Sequence, residues 1–336
     1  MMFPGRGNTS TGPSHGRNKN VVKQCDVVVV GGGPAGSTCA WKLRQAGLDV
    51  IVLDRAAFPR DKLCAGWVTP QVIEDLQLDI DSYPHSFMTF DRLHFHWKKL
   101  GLAKKTVQHS IRRVEFDDFL LQRSGAPVYE HNVRRIEQKN GRYIIDDEYQ
   151  CQYLVGAGGT ACPVYRQLFH DANPRAKNLQ IATLELEFDY HWKDDVCHLW
   201  FYDDGLPGYA WYVPKANGYL NIGLGGRAEK MKANGAHLKK FWSDFVYKLH
   251  DKQLVTGTEI KPGGYSYYLR GNVDTVRIDN AIIVGDSVGL ASIDMGEGIG
   301  PAIKSAIQAA EAISAGRVYT LRTLQRFTIL PEFCSR

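Results

Sequence analysis

Four consecutive β-branched apolar residues, Val27 to Val30, stand between Asp26 and a run of glycines. An uninterrupted apolar stretch this short predicts a strand buried on both faces. Ala35, Cys39, Ala40, Leu43 and Ala46 then recur at helical spacing, which predicts a helix over 34–46 ended by Gly47. Val50 to Leu53 predict a second buried strand, with Asp54 at its end. The pattern returns far downstream. There Ala281 to Val284 predict a third buried parallel strand running into Gly285-Asp286, and 302–315 predict a helix opened by Met295 to Pro301.

Between these segments the period changes. Phe87, Leu93, Phe95 and Trp97 alternate in part with polar residues, predicting strands of another sheet. Arg113, Phe116, Asp117 and Leu120 share one side of a helix beginning near residue 112. Residues 133–155 predict an antiparallel meander turning at Asn140-Gly141, a two-residue hairpin signal. Ile181, Thr183 and Glu185 then alternate with Ala182, Leu184 and Leu186. Further strands are predicted over 196–202 and in a hairpin over 208–225 that turns at Asn217-Gly218. Leu238, Phe241, Trp242, Phe245 and Leu249 mark an amphipathic helix. The tryptophans at 192, 200, 211 and 242 suit either an apolar pocket or ordinary sheet core.

The expected fold class is therefore α/β with an added antiparallel sheet. A discontinuous Rossmann-like nucleotide domain is expected over 25–75, 107–178 and 272–330, and a smaller β-rich substrate domain over 76–106 and 179–271. Residues 1–24 are expected to form a disordered tail.

Gly31, Gly33 and Gly36 form a G-x-G-x-x-G between the first strand and its helix. The three meet separate needs: a tight turn, close backbone approach to a pyrophosphate, and close packing of helix on strand. Asp54 is placed to accept hydrogen bonds from a ribose. Nanomolar retention of a dinucleotide needs about −12 kcal/mol, whereas one helix N-terminus supplies at most about 2 kcal/mol. Contacts along the whole molecule are required. Asp286 at a strand end, and a helix whose positive end near Gly298 points at the far ring, suit FAD better than NAD.

Composition narrows the remaining classes. The chain's 336 residues suggest two domains, and 44% apolar with 23% charged content is ordinary for a soluble protein. The net charge of +5 sits at the ends: residues 1–24 carry +4 and residues 315–336 carry +3. No basic face for nucleic acid follows. Seven cysteines without a C-x-x-C pair fit free thiols in a reducing compartment. No apolar run is long enough for a membrane span. A cytoplasmic location is expected; the acid-free N-terminus also has a faint transit-peptide character. His94 and His96 share a strand face, but no third ligand stands at a sensible spacing, so no metal is expected.

Taken together, the β-α-β unit, Arg113-Val114-Glu115-Phe116-Asp117, Gly285-Asp286 and Gly296-Glu297-Gly298-Ile299 resemble the FAD oxidoreductases of the aromatic-hydroxylase superfamily. Three details resemble its geranylgeranyl reductase branch. Lys62-Leu63-Cys64-Ala65-Gly66 is similar to the family's K-x-C-G loop, with one residue more. Tyr209-Ala210-Trp211-Tyr212-Val213-Pro214, followed by Gly223-Leu224-Gly225, is similar to its Y-x-W-x-F-P and G-x-G substrate motif, with Val213 in place of Phe. Gly289 stands where the hydroxylases carry His. Gly158 replaces the Asp of the hydroxylases' D-G motif, which argues against their mode of NADPH docking. The family's longer tail is not in this sequence, so a more open pocket is expected.

The resemblance implies reduction of carbon–carbon double bonds in a prenyl or other hydrophobic substrate, by hydride transfer from reduced FAD. Electrons would come from NAD(P)H or from a donor protein such as reduced ferredoxin. It implies cofactor contacts from Gly31, Gly33, Pro34, Ala35, Gly36, Asp54, Arg55, Cys64, Ala65, Gly66, Arg113, Val133, Gly158, Asp286, Gly296, Gly298 and Ile299. It also implies a catalytic role for Cys64 near the flavin and for Tyr209 and Trp211 as walls of the substrate channel. The residues alone equally suit packing roles: a small buried thiol and two core aromatics. An FAD-dependent monooxygenase or halogenase is the alternative enzyme, and a flavin-binding protein without turnover the alternative class. A prenyl substrate implies peripheral contact with a membrane, assisted by the basic ends.

Overall fold

The protein is seen in a computed structural model that describes residues 22–328 apart from 99, 234, 236, 258 and 259. The strand Lys23–Val30 lies inside a mostly parallel sheet. It is flanked by Val50–Asp54, in register Val27 to Val50, and by Tyr149–Gly156, in register Val27 to Tyr153. Central placement with both faces covered explains its unbroken apolar run. Val128–Glu130 extends the sheet beyond Val50–Asp54, and Ala281–Ile283 extends it beyond Tyr149–Gly156. The distant strand thus joins the first sheet in parallel. The hairpin Ile136–Lys139 and Arg142–Ile145 turns at Asn140 and Gly141, both with positive φ, and pairs onto Tyr149–Gly156.

Helices Pro34–Gln45 and Ile299–Ser314 pack against one another through small buried residues, among them Ala35, Cys39, Ala40, Ala302, Ala306 and Ala309. The second helix starts at Ile299 rather than 302, because Pro301 needs no intrahelical donor in a first turn. Arg113–Arg123 packs beside the first helix. Residues 22–24 are not tail: Lys23 pairs with Tyr149 and donates its N–H to Glu148 at 2.8 Å. The rest of the expected tail lies outside the described residues.

The second sheet runs in the order Gly263–Tyr268, Gln180–Asp189, Tyr219–Arg227, Gly208–Lys215, Cys197–Phe201, Phe87–Trp97, Leu100–Ile111, Trp67–Val68. Every pairing is antiparallel except Cys197–Phe201 with Phe87–Trp97. The strand Leu100–Ile111 crosses the expected boundary at 106/107, since its pairing continues to Ile111 opposite Phe87. Alternation gives this sheet two chemically different faces. Leu220, Ile222, Leu224, Tyr212 and Trp200 pack under helix Leu238–Asp251, against its Trp242, Phe245 and Leu249. Residues of the opposite parity, including Thr183, Glu185, Tyr209 and Trp211, line a cavity that also touches the first sheet. The clustered tryptophans accordingly divide: Trp200 and Trp242 are core, and Trp211 borders the cavity.

Candidate functional site

The cavity holds about 510 Å³ and lies at the carboxyl ends of the parallel strands, where such sheets take ligands. Its first wall is the glycine turn. Gly31 has φ +114°, and a Cβ there would fall 2.4 Å from the Ala157 carbonyl oxygen. A Cβ on Gly36 would fall 1.7 Å from the Gly31 carbonyl oxygen, so helix and turn touch backbone to backbone. Gly33 differs: the nearest atom to its Cβ would be Arg60 Nη2 at 3.4 Å, leaving bare main chain at the cavity edge. The helix behind it has no side-chain cap and no acid in its first turn. Uncapped amides beside an unobstructed glycine suit a pyrophosphate. Asp54 is buried at the rim; it accepts from the Gly32 N–H at 2.7 Å and the Ala56 N–H at 3.0 Å, which fixes its carboxylate against the cavity. These features fit a dinucleotide.

All the residues expected to meet the cofactor line this cavity except Gly36 and Gly66, which act behind it. Gly66 has φ +63°, and its Cβ would fall 2.2 Å from the Ile111 carbonyl oxygen and 2.4 Å from Lys215 Nζ. Lys215 is fully buried and donates to the carbonyls of Ala65 at 2.8 Å and Ile111 at 2.5 Å. Burial pushes its pKa down, opposed by Glu187, whose carboxylate lies 3.5 Å away. This lysine ties the cysteine loop to the second sheet. Lys215→Met removes the donor that bridges these two carbonyls and is expected to cost about 3 kcal/mol by chemical denaturation. Flavin content should fall with it; a stability within about 0.5 kcal/mol of the parent would refute the tether.

The loop is held from a second side. Trp211 Nε1 donates to Asn221 Oδ1 at 2.8 Å, and Asn221 Nδ2 donates to the Cys64 carbonyl at 3.2 Å. Trp211 lies opposite Gly223, and a Cβ on Gly223 would fall 2.2 Å from the indole. The tryptophan and the glycine twelve residues on are thus one feature: the indole lies flat over a strand that carries no side chain there. Cys64 is half-buried, and its sulfur accepts the Gly66 N–H at 3.4 Å. Arg113 is buried and makes two 2.7 Å hydrogen bonds to Asp117. Burial opposes its charge, but Asp117 and then Cys64 outweigh that and hold the guanidinium cationic.

Glu185 is the functional candidate that the sequence pattern does not single out. It is 3% exposed, its Oε2 has no hydrogen-bond partner, and it lines the cavity between Gly223 and Gly263 of the neighbouring strands. Burial raises its pKa to about 7 against the pull of Lys62, Lys215 and Arg113. Lys62 stands 3.1 Å over the Tyr265 ring, and burial, with Arg113 next, lowers its pKa to about 8. The signal available in the sequence was an acid at a cavity-facing position of an alternating strand, in line with Thr183.

Two expectations change. Glu297 Oε1 accepts the Gly300 N–H at 2.6 Å, so the last helix's positive end is capped by a carboxyl rather than left for a ligand. Burial, only partly offset by the Gly300 and Ile299 amides, raises that carboxyl to about 7. Asp286, expected at the cofactor, presents its half-buried carboxyl to the cavity, and burial raises its pKa. Tyr209 lines the cavity too, but its hydroxyl donates to the Met295 carbonyl, which commits its proton to the loop that opens the last helix. Away from the cavity, His94 and His96 do have a third histidine within reach. Parallel pairing sets His198 beside His94, a neighbour that spacing along the chain does not reveal.

A family model described as FAD dependent oxidoreductase matches residues 26–114. An uncharacterized protein of Methanosarcina barkeri is 31% identical, over 91% of this chain and 79% of its own. A menaquinone reductase of Mycobacterium tuberculosis is 27% identical, over 88% and 78%. A digeranylgeranylglycerophospholipid reductase of Methanosarcina mazei is 26% identical, also over 88% and 78%. Among solved structures, a geranylgeranyl bacteriochlorophyll reductase-like protein of Thermoplasma acidophilum superposes with a TM-score of 0.78 at 20% identity, covering 88% of this chain and 79% of that one.

Proposed function

We propose a reaction from one premise: this chain belongs to the geranylgeranyl reductase family of FAD-dependent oxidoreductases. The reaction is the two-electron reduction of an isolated carbon–carbon double bond in a prenyl chain or a comparable lipid. Such a bond takes up one hydride and one proton, on different carbons. FAD held in the cavity and reduced would supply the hydride. Gly31, Gly33, Asp54 and Asp286 hold that cofactor in this reading, and the remaining tasks fall to other side chains.

The single observation that carries the proposal is Glu185, a buried carboxyl with an unpartnered oxygen, raised to about 7, on the wall shared with the dinucleotide cradle. It keeps a proton near neutrality and can deliver it from a buried position on the cavity wall. Lys62 and Arg113 are close enough to stabilise the carboxylate left behind. Trp211 and Tyr209 supply a flat apolar wall for a hydrocarbon chain, with Trp67 and Met295 next to them. Cys64 borders the cavity from the loop that Lys215 and Asn221 fix. The relatives' names, a menaquinone reductase and a digeranylgeranylglycerophospholipid reductase, support a lipid substrate.

No helix among the described residues is long and apolar enough to cross a membrane. The hairpin end of the second sheet instead exposes Trp97, Leu100 and Leu102, with Tyr202 beside Trp97 and with Lys98 at the turn. An apolar tip with adjacent lysine suits shallow contact with anionic lipid. The test of function is anaerobic. Photoreduced protein is mixed with detergent-dispersed geranylgeranyl lipid or menaquinone, and the oxidised flavin spectrum is expected to return with a product whose prenyl chain is two hydrogens heavier once any quinol has been reoxidised in air. Reoxidation that needs oxygen would replace the reductase reading with a monooxygenase. Cys64→Ala should keep its flavin and slow this return at least about tenfold, a barrier change of about 1.4 kcal/mol. An unchanged rate would assign Cys64 to packing.

A further inference from the structure

On the second sheet's other face, three imidazoles converge. His94 and His96 are two apart on Phe87–Trp97, and His198 lies beside His94 on Cys197–Phe201, the parallel neighbour. One ring nitrogen from each lies within 4.8 Å of the other two. His96 Nε2 and His198 Nδ1 are 2.9 Å apart. We propose that His94, His96 and His198 form a binding site for one divalent zinc-class cation, with its fourth position open to solvent.

Two observations favour ligation over a hydrogen-bonded surface cluster. First, the spacing fits. A metal–nitrogen bond of about 2.0–2.1 Å sets tetrahedral nitrogens about 3.3 Å apart, which small rotations of these rings reach. Second, the tautomer is prepared. Asp194 Oδ2 lies 3.0 Å from His198 Nε2 and is itself held by the Val196 N–H on its other oxygen. A carboxylate on Nε2–H leaves Nδ1 as the lone-pair nitrogen, facing the other two rings, in the manner of a carboxylate–histidine–metal arrangement. Lys248 and Lys252 face the cluster and work against a cation, but Lys248 is paired with Asp203 and Asp204. Trp200 is near-parallel to both His96 and His198 and packs under Phe245, which fixes the rings from below.

The site would staple the parallel pairing of Phe87–Trp97 with Cys197–Phe201, at the base of the exposed Trp97–Leu100 hairpin, with no part in the cavity chemistry. It does not rest on the proposed reaction. Tag-free, flavin-loaded protein is stripped with a chelator and titrated with Zn²⁺ by calorimetry, then with Co²⁺ in the visible. The expected results are one equivalent bound, the intense absorption of four-coordinate cobalt, and a raised Tm. His96→Gln and His198→Gln should abolish all three and leave the flavin spectrum unchanged. Asp194→Asn should weaken binding ten- to hundredfold. Absence of saturable one-to-one binding in the parent protein, or equal binding in both histidine variants, would overturn the site. The parent titration decides even where a variant fails to fold.

Discussion

Alanine at Gly33 and alanine at Gly36 are both expected to yield colourless protein, by different routes. At Gly36 the new Cβ would fall 1.7 Å from the Gly31 carbonyl oxygen, a contact that only a displaced turn relieves. Overpacking of this kind costs about 1–3 kcal/mol, so the variant should melt early as well as lose flavin. At Gly33 the Cβ meets only the mobile end of Arg60, at 3.4 Å. Stability should stay within about 1 kcal/mol of the parent, since nothing in the protein is displaced. The methyl group instead occupies the edge where a pyrophosphate approaches main chain, and a misplacement of about 1 Å there costs about a hundredfold. Visible absorbance relative to protein, read beside a thermal melt, separates the two cases. A Gly33→Ala protein as yellow as the parent would remove the glycine turn from the cofactor site.

Glu185→Gln is expected to lower the anaerobic reoxidation rate by about 10²–10⁴-fold, the usual worth of a positioned acid, with flavin binding intact. The pH dependence gives the sharper readout. With its pKa raised to about 7, Glu185 is the acid below that value and a carboxylate above it. The parent rate should therefore fall as pH rises through about 7, and the glutamine variant should be slow and flat across that range. Glu297 titrates in the same region but caps a helix, so Glu297→Gln should keep the limb. Stability offers an independent check. A carboxyl whose folded pKa is raised binds its proton more tightly when folded, so its contribution declines as pH rises from the ordinary carboxylate range to about 7. Glu185→Gln should remove that part of the slope. A parent rate independent of pH across this range would exclude Glu185 as the donor.

Much of the cradle was legible because its steric demands act on neighbours in the chain. Gly31, Gly36 and Asp54 lie within one β-α-β unit, and the reasons glycine is needed there are local. The strand at Ala281–Ile283 was legible as a strand because burial on both faces writes a continuous apolar run. What the sequence hid depends on pairing between distant strands. Glu185 matters because Gly223 and Gly263 flank it, and neither neighbour can be inferred from spacing. Lys215 looks like a lysine at a hairpin end, yet it is fully buried between two carbonyls contributed by residues 65 and 111. His198 stands over a hundred positions from His96. The last helix was expected from residue 302 and begins at Ile299, and Glu297 was not foreseen as its cap, since the same acid could as well have faced water.

The interrupted parallel sheet has a consequence for biogenesis. Asp54 and the glycine turn leave the ribosome first, whereas Asp286 follows more than two hundred residues later. At synthesis rates of about 5–20 residues per second, that gap lasts about 10–50 s. During it the nascent chain holds one half of a nucleotide clasp with nothing to close it. In the proposed reading, stable flavin loading must wait until Asp286 has emerged, and a cell short of flavin would accumulate protein in which the strand Ala281–Ile283 and the helix Ile299–Ser314 dock beside an unfilled cleft, the part most open to proteases.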